Sequence, residues 1–177
     1  MAISLYDLSV SSFLQGLEGV DGFLAKGLAW CHETGVDPET IVECRLFDDM
    51  LPFRFQVMQV VRHSAGAIEV VKRGTVSFDR DRTPHDYATL QQKVAEARTH
   101  LTALTREEVD AREGHDVLLD TPGNRRLFTA EDFIRSFSLP NFHFHATTAY
   151  DILRTKGVPL GKRDFMGPLR LKGVLEG

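Results

Sequence analysis

Long apolar runs, cysteine and a surplus of positive charge are all scarce in this 177-residue chain. No stretch reaches the run of about 18 apolar residues that a spanning helix needs, so a membrane partner is not expected. The opening MAISLYDLSV has no positive charge ahead of an apolar run and no small-residue cleavage pattern, so no secretory leader is expected. Formal net charge is -4, and the positive residues are scattered apart from pairs such as Lys72-Arg73 and Lys162-Arg163. That balance argues against nucleic acid as a partner. The two cysteines, Cys31 and Cys44, are far from any CxxC spacing. They read as reduced thiols of a cytoplasmic protein. GxSxG, the P-loop and HExxH are all missing, which removes the commonest signatures of hydrolases, nucleotide-binding proteins and zinc proteases.

What is present is a protein of ordinary globular composition, 42% hydrophobic and 26% charged, long enough for one domain over residues 1–177 with a substantial core. Four segments carry helical periodicity. In the first, Phe13, Leu17, Val20, Leu24, Leu28 and Cys31 recur at steps of three and four. Gly16, Gly19, Gly22 and Gly27 interrupt it, each at a propensity cost on the order of 1 kcal/mol. They imply either close approach of a neighbour or a kink, and they are candidate material for an interface. Gly35 ends the segment, and Asp37-Pro38-Glu39 opens a short helix.

The second long helix runs from Asp49–Pro52 to the cationic turn and glycine stop at Lys72-Arg73-Gly74. Its stripe is Phe53, Val57, Val60, Ser64, Ala67 and Val71, and His63 projects close to it. The third begins at Thr83-Pro84 and carries Tyr87, Leu90, Val94, Ala97, Leu101 and Leu104. Periodicity then changes: HDVLLD, TPGN and RRLF read as a β-hairpin. Thr129 and Asp132 resemble a capping box that starts the fourth helix near Ala130. Pro140 should kink or divide that helix, which then runs to Lys156-Gly157. The Gly/Pro-punctuated tail is expected to pack as an extended arm. Stripes of this length must bury one another, so the expected fold is all-α, a four-helix bundle with a short β-hairpin before the last helix.

The chemistry concentrates in PNFHFHATTAYDILR, Pro140 to Arg154. Residues four apart share a helix face and residues two apart do not. Ile134, Phe137, Asn141, His145, Thr148 and Ile152 therefore form one inward face, with Asn141 and His145 one turn apart. His143 belongs to another face. Thr148 and Tyr150 are accessory candidates or ordinary core. His32, His85, His100 and His115 fall in caps, outer faces or loops and read as exposed. Asp48-Asp49 reads as an N-cap, because adjacent carboxylates cannot converge on one substrate.

SLYDLSVSSFLQGL, LPNFHFHATTAYDILRTKGVPLGKRDFMG and the helix-two segment between them resemble the domain of unknown function 1993 family of the DinB-like superfamily. The resemblance spans nearly the whole chain. It implies a DinB-like four-helix bundle, often a homodimer, in which better-known relatives hold a divalent metal with three histidines. One comes from helix two and two from the last helix. Some of those relatives transfer or isomerise substrates with a low-molecular-weight thiol.

Carried over residue by residue, His145 matches one histidine of the last-helix pair, Asn141 stands where the other would be, and His63 is the helix-two candidate. A His63, Asn141, His145 site would hold zinc or nickel less tightly than three imidazoles, since an amide oxygen is a weak ligand for either. Two readings stay open. One is a divalent-metal-dependent enzyme of thiol-dependent transferase or hydrolase type. The other is a metal-free bundle that binds a small-molecule ligand or acts as a dimeric interaction module.

Overall fold

The computed structural model describes residues 3–76, 83–121 and 123–173. The Thr83-Pro84 start expected for the third helix follows directly on undescribed residues. In chain order the helices are α1 (Leu5–Leu8), α2 (Val10–Thr34), α3 (Glu39–Val42), α4 (Phe53–Arg62), α5 (Ala65–Arg73), α6 (Tyr87–Thr102) and α7 (Arg106–Asp110). They are followed by α8 (Ala130–Asp132), α9 (Leu139–Thr155) and α10 (Lys162–Met166), with π-helical turns over Phe133–Ser138 joining α8 to α9. Strands β1 (Thr75–Val76), β2 (Asp116–Thr121) and β3 (Asn124–Thr129) form one small sheet. No helix among the described residues is long and apolar enough to cross a membrane.

The bundle is built from α2, α4 with α5, α6, and α9. Helix α4 packs on α9 and α6, while α2 packs on α6 and α9. The stripes read from periodicity are its core. Phe53, Val57, Val60, Ser64, Ala67 and Val71 are all buried, as are Tyr87, Leu90, Val94, Ala97, Leu101 and Leu104. In the α2 stripe only Leu28 is half-buried. Gly35 and Gly74 close α2 and α5 in the left-handed conformation, at φ 71° and 73°, which glycine alone adopts without a Cβ penalty.

Several local details differ from the sequence reading. The second long helix is two helices, broken at His63-Ser64. There the Ser64 hydroxyl donates to the carbonyl of Val60 at 2.7 Å, competing with the helical ladder. Asp86, accepting from the Thr89 amide at 2.7 Å, caps α6, so the regular helix starts later than Thr83-Pro84. Asp48-Asp49 is not an N-cap, since α4 follows Pro52 and lacks a side-chain cap. The hairpin gains a third strand: Thr75 and Val76 pair in parallel with Leu118 and Leu119. The tail is partly helical, as α10, and docks on α2.

The glycines of α2 mark close approach and not a kink, for α2 is continuous. A Cβ on Gly27 would stand 2.5 Å from the Tyr87 hydroxyl, which is buried and donates to the Leu24 carbonyl at 2.9 Å. Gly16 and Gly19 are covered from within the chain by Phe142 and Phe165, and only Gly22 faces open space. Two glycine-to-alanine changes in one helix should therefore have opposite signs. Gly22→Ala is expected to stabilise by up to about 1 kcal/mol through helix propensity. Gly27→Ala should destabilise by about 1–3 kcal/mol through overpacking against Tyr87. Urea unfolding of the two variants measures both signs.

Candidate functional site

Helices α4 and α9 meet along their buried stripes, and that contact brings together two of the three residues singled out from sequence. His63 terminates α4; His145 lies in the second turn of α9. Their ring centroids are 6.0 Å apart with planes inclined by 12°, and their exposures are 8% and 9%. Aromatic side chains enclose them. Phe55 and Phe144 approach the His145 ring at 5.9 Å and 5.1 Å, and Phe137 approaches His63 at 5.5 Å.

One site residue went unnoticed in the sequence. Gln56, only 2% exposed, places its Oε1 2.7 Å from His145 Nδ1. The same amide donates through Nε2 to the Leu51 carbonyl at 2.7 Å. A carbonyl can only accept, so the amide orientation is fixed and Oε1 must receive a proton from His145. His145 therefore carries its hydrogen on Nδ1, and its lone pair is on Nε2. The available signal was spacing: Gln56 precedes His63 by seven residues, two helical turns, and so shares its face.

Asn141 stands one turn before His145, half-buried. Its Nδ2 donates to the Phe137 carbonyl at 2.7 Å, and Oδ1 takes part in no hydrogen bond among the described residues. Phe137 thus links Asn141 to His63 through one backbone carbonyl and one ring face. Thr148 is buried on the same side of α9 and bonds to the Phe144 carbonyl. Tyr150 is core, packed against Phe23 and Phe165. His143 is exposed, as are His32, His100 and His115, whereas His85 is half-buried. Both thiols are free; burial pushes the Cys31 thiol up, with Asp37 adding to the effect.

Burial governs the charge state of the pair. Desolvation carries His63 from its ordinary 6.5 down to about 3, with the neighbouring His145 and then Arg62 adding to it. Desolvation also takes His145 down to about 4. Both rings are neutral at pH 7, the form in which imidazole is a metal ligand, an acceptor or a base.

Among the described residues no three His, Cys, Asp or Glu side chains gather into a metal-binding group. The available donors are two imidazoles and the Asn141 amide oxygen, with no carboxylate or thiolate to add charge. The spacing of the rings is within reach of one ion. Metal–nitrogen bonds of about 2.0–2.1 Å place two imidazole centroids roughly 5.2 Å apart at a tetrahedral angle and at most roughly 6.5 Å apart in line, so the 6.0 Å found calls for a widened angle at the ion. Two imidazoles and one amide oxygen are a weaker donor set for zinc or nickel than three imidazoles.

No curated protein matches the chain significantly. Among solved structures, a DinB family member protein from Shewanella denitrificans superposes with a TM-score of 0.78 at 26% identity, covering 96% of each chain. A DinB-like protein, YjoA, from Bacillus subtilis gives a TM-score of 0.56 at 16% identity, over 85% of this chain and 95% of its own. That second likeness concerns the fold alone. The Domain of unknown function (DUF1993) family matches residues 5–166. The chain belongs to this family, and with its α2–α4/α5–α6–α9 bundle it is a DinB-like helical protein.

Proposed function

We propose that the His63–His145 pair holds a divalent metal ion, zinc or nickel, with Asn141 Oδ1 as a weak third donor, and that the protein is a metal-dependent enzyme of the thiol-dependent transferase or hydrolase type. The observation that carries this reading is the enforced neutrality of two facing imidazoles, one of them held by Gln56 with its Nε2 lone pair uncommitted. A bound ion would supply Lewis acidity and lower the pKa of a thiol or water at its open positions. The chain's own residues do the rest. Gln56 fixes the His145 tautomer and ring orientation. Phe55, Phe137 and Phe144 limit water and strengthen local electrostatics. A homodimer accompanies this reading, with exposed Leu51 and Phe144 beside the pair as apolar surface.

A second reading has its own support. The Asn141 amide is tied to Phe137 and the Gln56–His145 bond is closed without any ion. Such a cluster serves a metal-free bundle that binds a small molecule.

Metal analysis of protein purified without a nickel column separates the two readings. One zinc or nickel per chain is expected on titration, with a higher melting temperature. His145→Ala should abolish uptake, and Gln56→Leu should weaken it about 10–100-fold by releasing the ring. Failure of the wild-type chain to take up either ion, with an unmoved melting temperature, selects the metal-free reading.

The same neutrality fixes a pH dependence of the metal-free chain. Folded values near 3 and 4 lie below the 6.5 of an unfolded histidine. As pH falls from 6.5 towards 4, the unfolded chain takes up protons that the folded chain refuses, and stability drops. Each histidine contributes about 1.4 kcal/mol per pH unit in that window, so the pair costs about 4 kcal/mol between pH 7 and pH 5. The carboxylates held below their ordinary range, Asp7, Asp86, Glu96, Glu108 and Asp164, lose their contribution only at lower pH. Urea unfolding in EDTA at several pH values should show this slope, and His145→Gln should reduce it by about half.

A further inference from the structure

A second concavity lies on a different face of α9 from the histidine pair. Its walls come from α2 (Ser12, Gln15, Gly16), from α9 (Phe142, His143, Ala146) and from the C-terminal segment (Phe165, Met166, Arg170), and its volume is about 310 Å³. Missing side chains hold it together. The Gly19 and Gly167 backbones touch the opposing chain, Gly19 at the Phe165 carbonyl and Gly167 at the Gln15 carbonyl. Any Cβ there would push the C-terminal wall away from α2. Gln15 Nε2 fastens the same wall by donating to the Met166 carbonyl at 3.2 Å. At Gly16 a Cβ would stand 2.5 Å from the Phe142 ring, so the ring lies directly on the α2 backbone.

The lining has an apolar floor and an unbalanced charge. Phe142, Ala146 and Phe165 supply the floor. No aspartate or glutamate lines the cavity. Arg170 enters no ion pair or hydrogen bond among the described residues. The His143 ring packs edge-on against Phe142, with centroids 5.4 Å apart. Neither of its nitrogens is engaged in a hydrogen bond among the described residues.

We propose that this cavity binds a small organic carboxylate, with Arg170 and His143 taking the carboxylate and the Phe142–Ala146–Phe165 floor taking its apolar body. Arginine stays protonated at every working pH and matches a carboxylate with two parallel donors. A guanidinium left without an acid beside an aromatic floor is a receptor for an acid that carries apolar surface. The size restricts the class further. At the lower edge of the roughly 300–1,000 Å³ usual for ligand sites, the cavity suits a ring-sized body and not a long acyl chain. This site is independent of the metal reading, because its residues come from α2, the C-terminal segment and another face of α9.

The test is a nitrogen-15 NMR titration of the full chain in EDTA, which removes any metal that could itself bind an acid. The probes are phenylacetate and its neutral isostere phenylacetamide. Saturable phenylacetate binding is expected, with shifts centred on residues 12–16, 142–146 and 165–170. The amide should bind at least tenfold more weakly, and Arg170→Gln should weaken phenylacetate at least tenfold while leaving the melting temperature of this exposed-site variant unchanged. His143→Gln should give a smaller loss. The proposal is overturned by absence of saturable binding to the wild-type chain, by equal binding of acid and amide, by indifference to Arg170→Gln, or by shifts centred on residues 55–63 of α4 and its C-cap in place of residues 12–16 and 165–170.

Discussion

The burial of two imidazoles between α4 and α9 is the constraint around which the rest of the site is organised. A charged histidine in that position would have to give up its hydration with no carboxylate in return, so both rings are held neutral. Neutral rings can face each other at 6.0 Å without repulsion and can sit among phenylalanines. Their polar atoms still need partners, and only one is met inside the cluster, by Gln56 on His145. The helix contact that organises the bundle is therefore also the contact that sets the protonation state of its most unusual residues.

Both helices that supply this pair depart from α-helical geometry close to it. On one side α4 stops at His63, where Ser64 draws the Val60 carbonyl out of the ladder. On the other, the π-helical turns over Phe133–Ser138 precede Pro140. Proline has no N–H to offer the carbonyl four residues back, and a wider turn accommodates that loss without breaking the helix axis. The accommodation strands a hydroxyl: Ser138 Oγ is buried with no partner among the described residues. Asn141, at the start of the regular stretch, covers the Phe137 carbonyl with its side chain. The backbone irregularities thus fall on the residues that frame the histidines, as happens where local regularity yields to the shape of a site.

These irregularities also explain what the sequence did and did not disclose. Apolar stripes at 3.6-residue spacing are a direct image of burial, so the cores of α2, α4/α5, α6 and α9 were legible residue by residue. The hairpin was legible from its turn chemistry, while β1, two residues long and paired in parallel, had no periodicity to reveal it. Reading α9 at constant helical spacing through the π-helical turns blurred the face in its middle: Ile134 and His145 are buried, but Phe137 and Asn141 are only half so. The glycines of α2 could mean a kink or a contact, and only the positions of Tyr87, Phe142 and Phe165 decide for contact. Gln56 was illegible for a simpler reason. A polar residue beside a stripe is ordinarily solvated, and its burial depends on a histidine 89 positions away.

The hydrogen-bond inventory of the pair narrows what can occupy it under either functional reading. A neutral imidazole has one donor nitrogen and one lone pair. In His145 the donor is committed to Gln56, because the amide is itself anchored on the Leu51 carbonyl, so the ring presents only its Nε2 lone pair. The His63 ring makes no hydrogen bond among the described residues, and its own lone pair is likewise unspent. An occupant that meets the His145 Nε2 lone pair beside these aromatic rings must be a Lewis acid or a proton donor: a divalent cation, a hydroxyl or a thiol. At His145 Nε2 an anion would meet electron density with electron density. The same α9 therefore carries two opposite recognition chemistries two residues apart, electron-pair donors at His145 and proton donors around His143, separated by the helix geometry that turns successive side chains onto different faces.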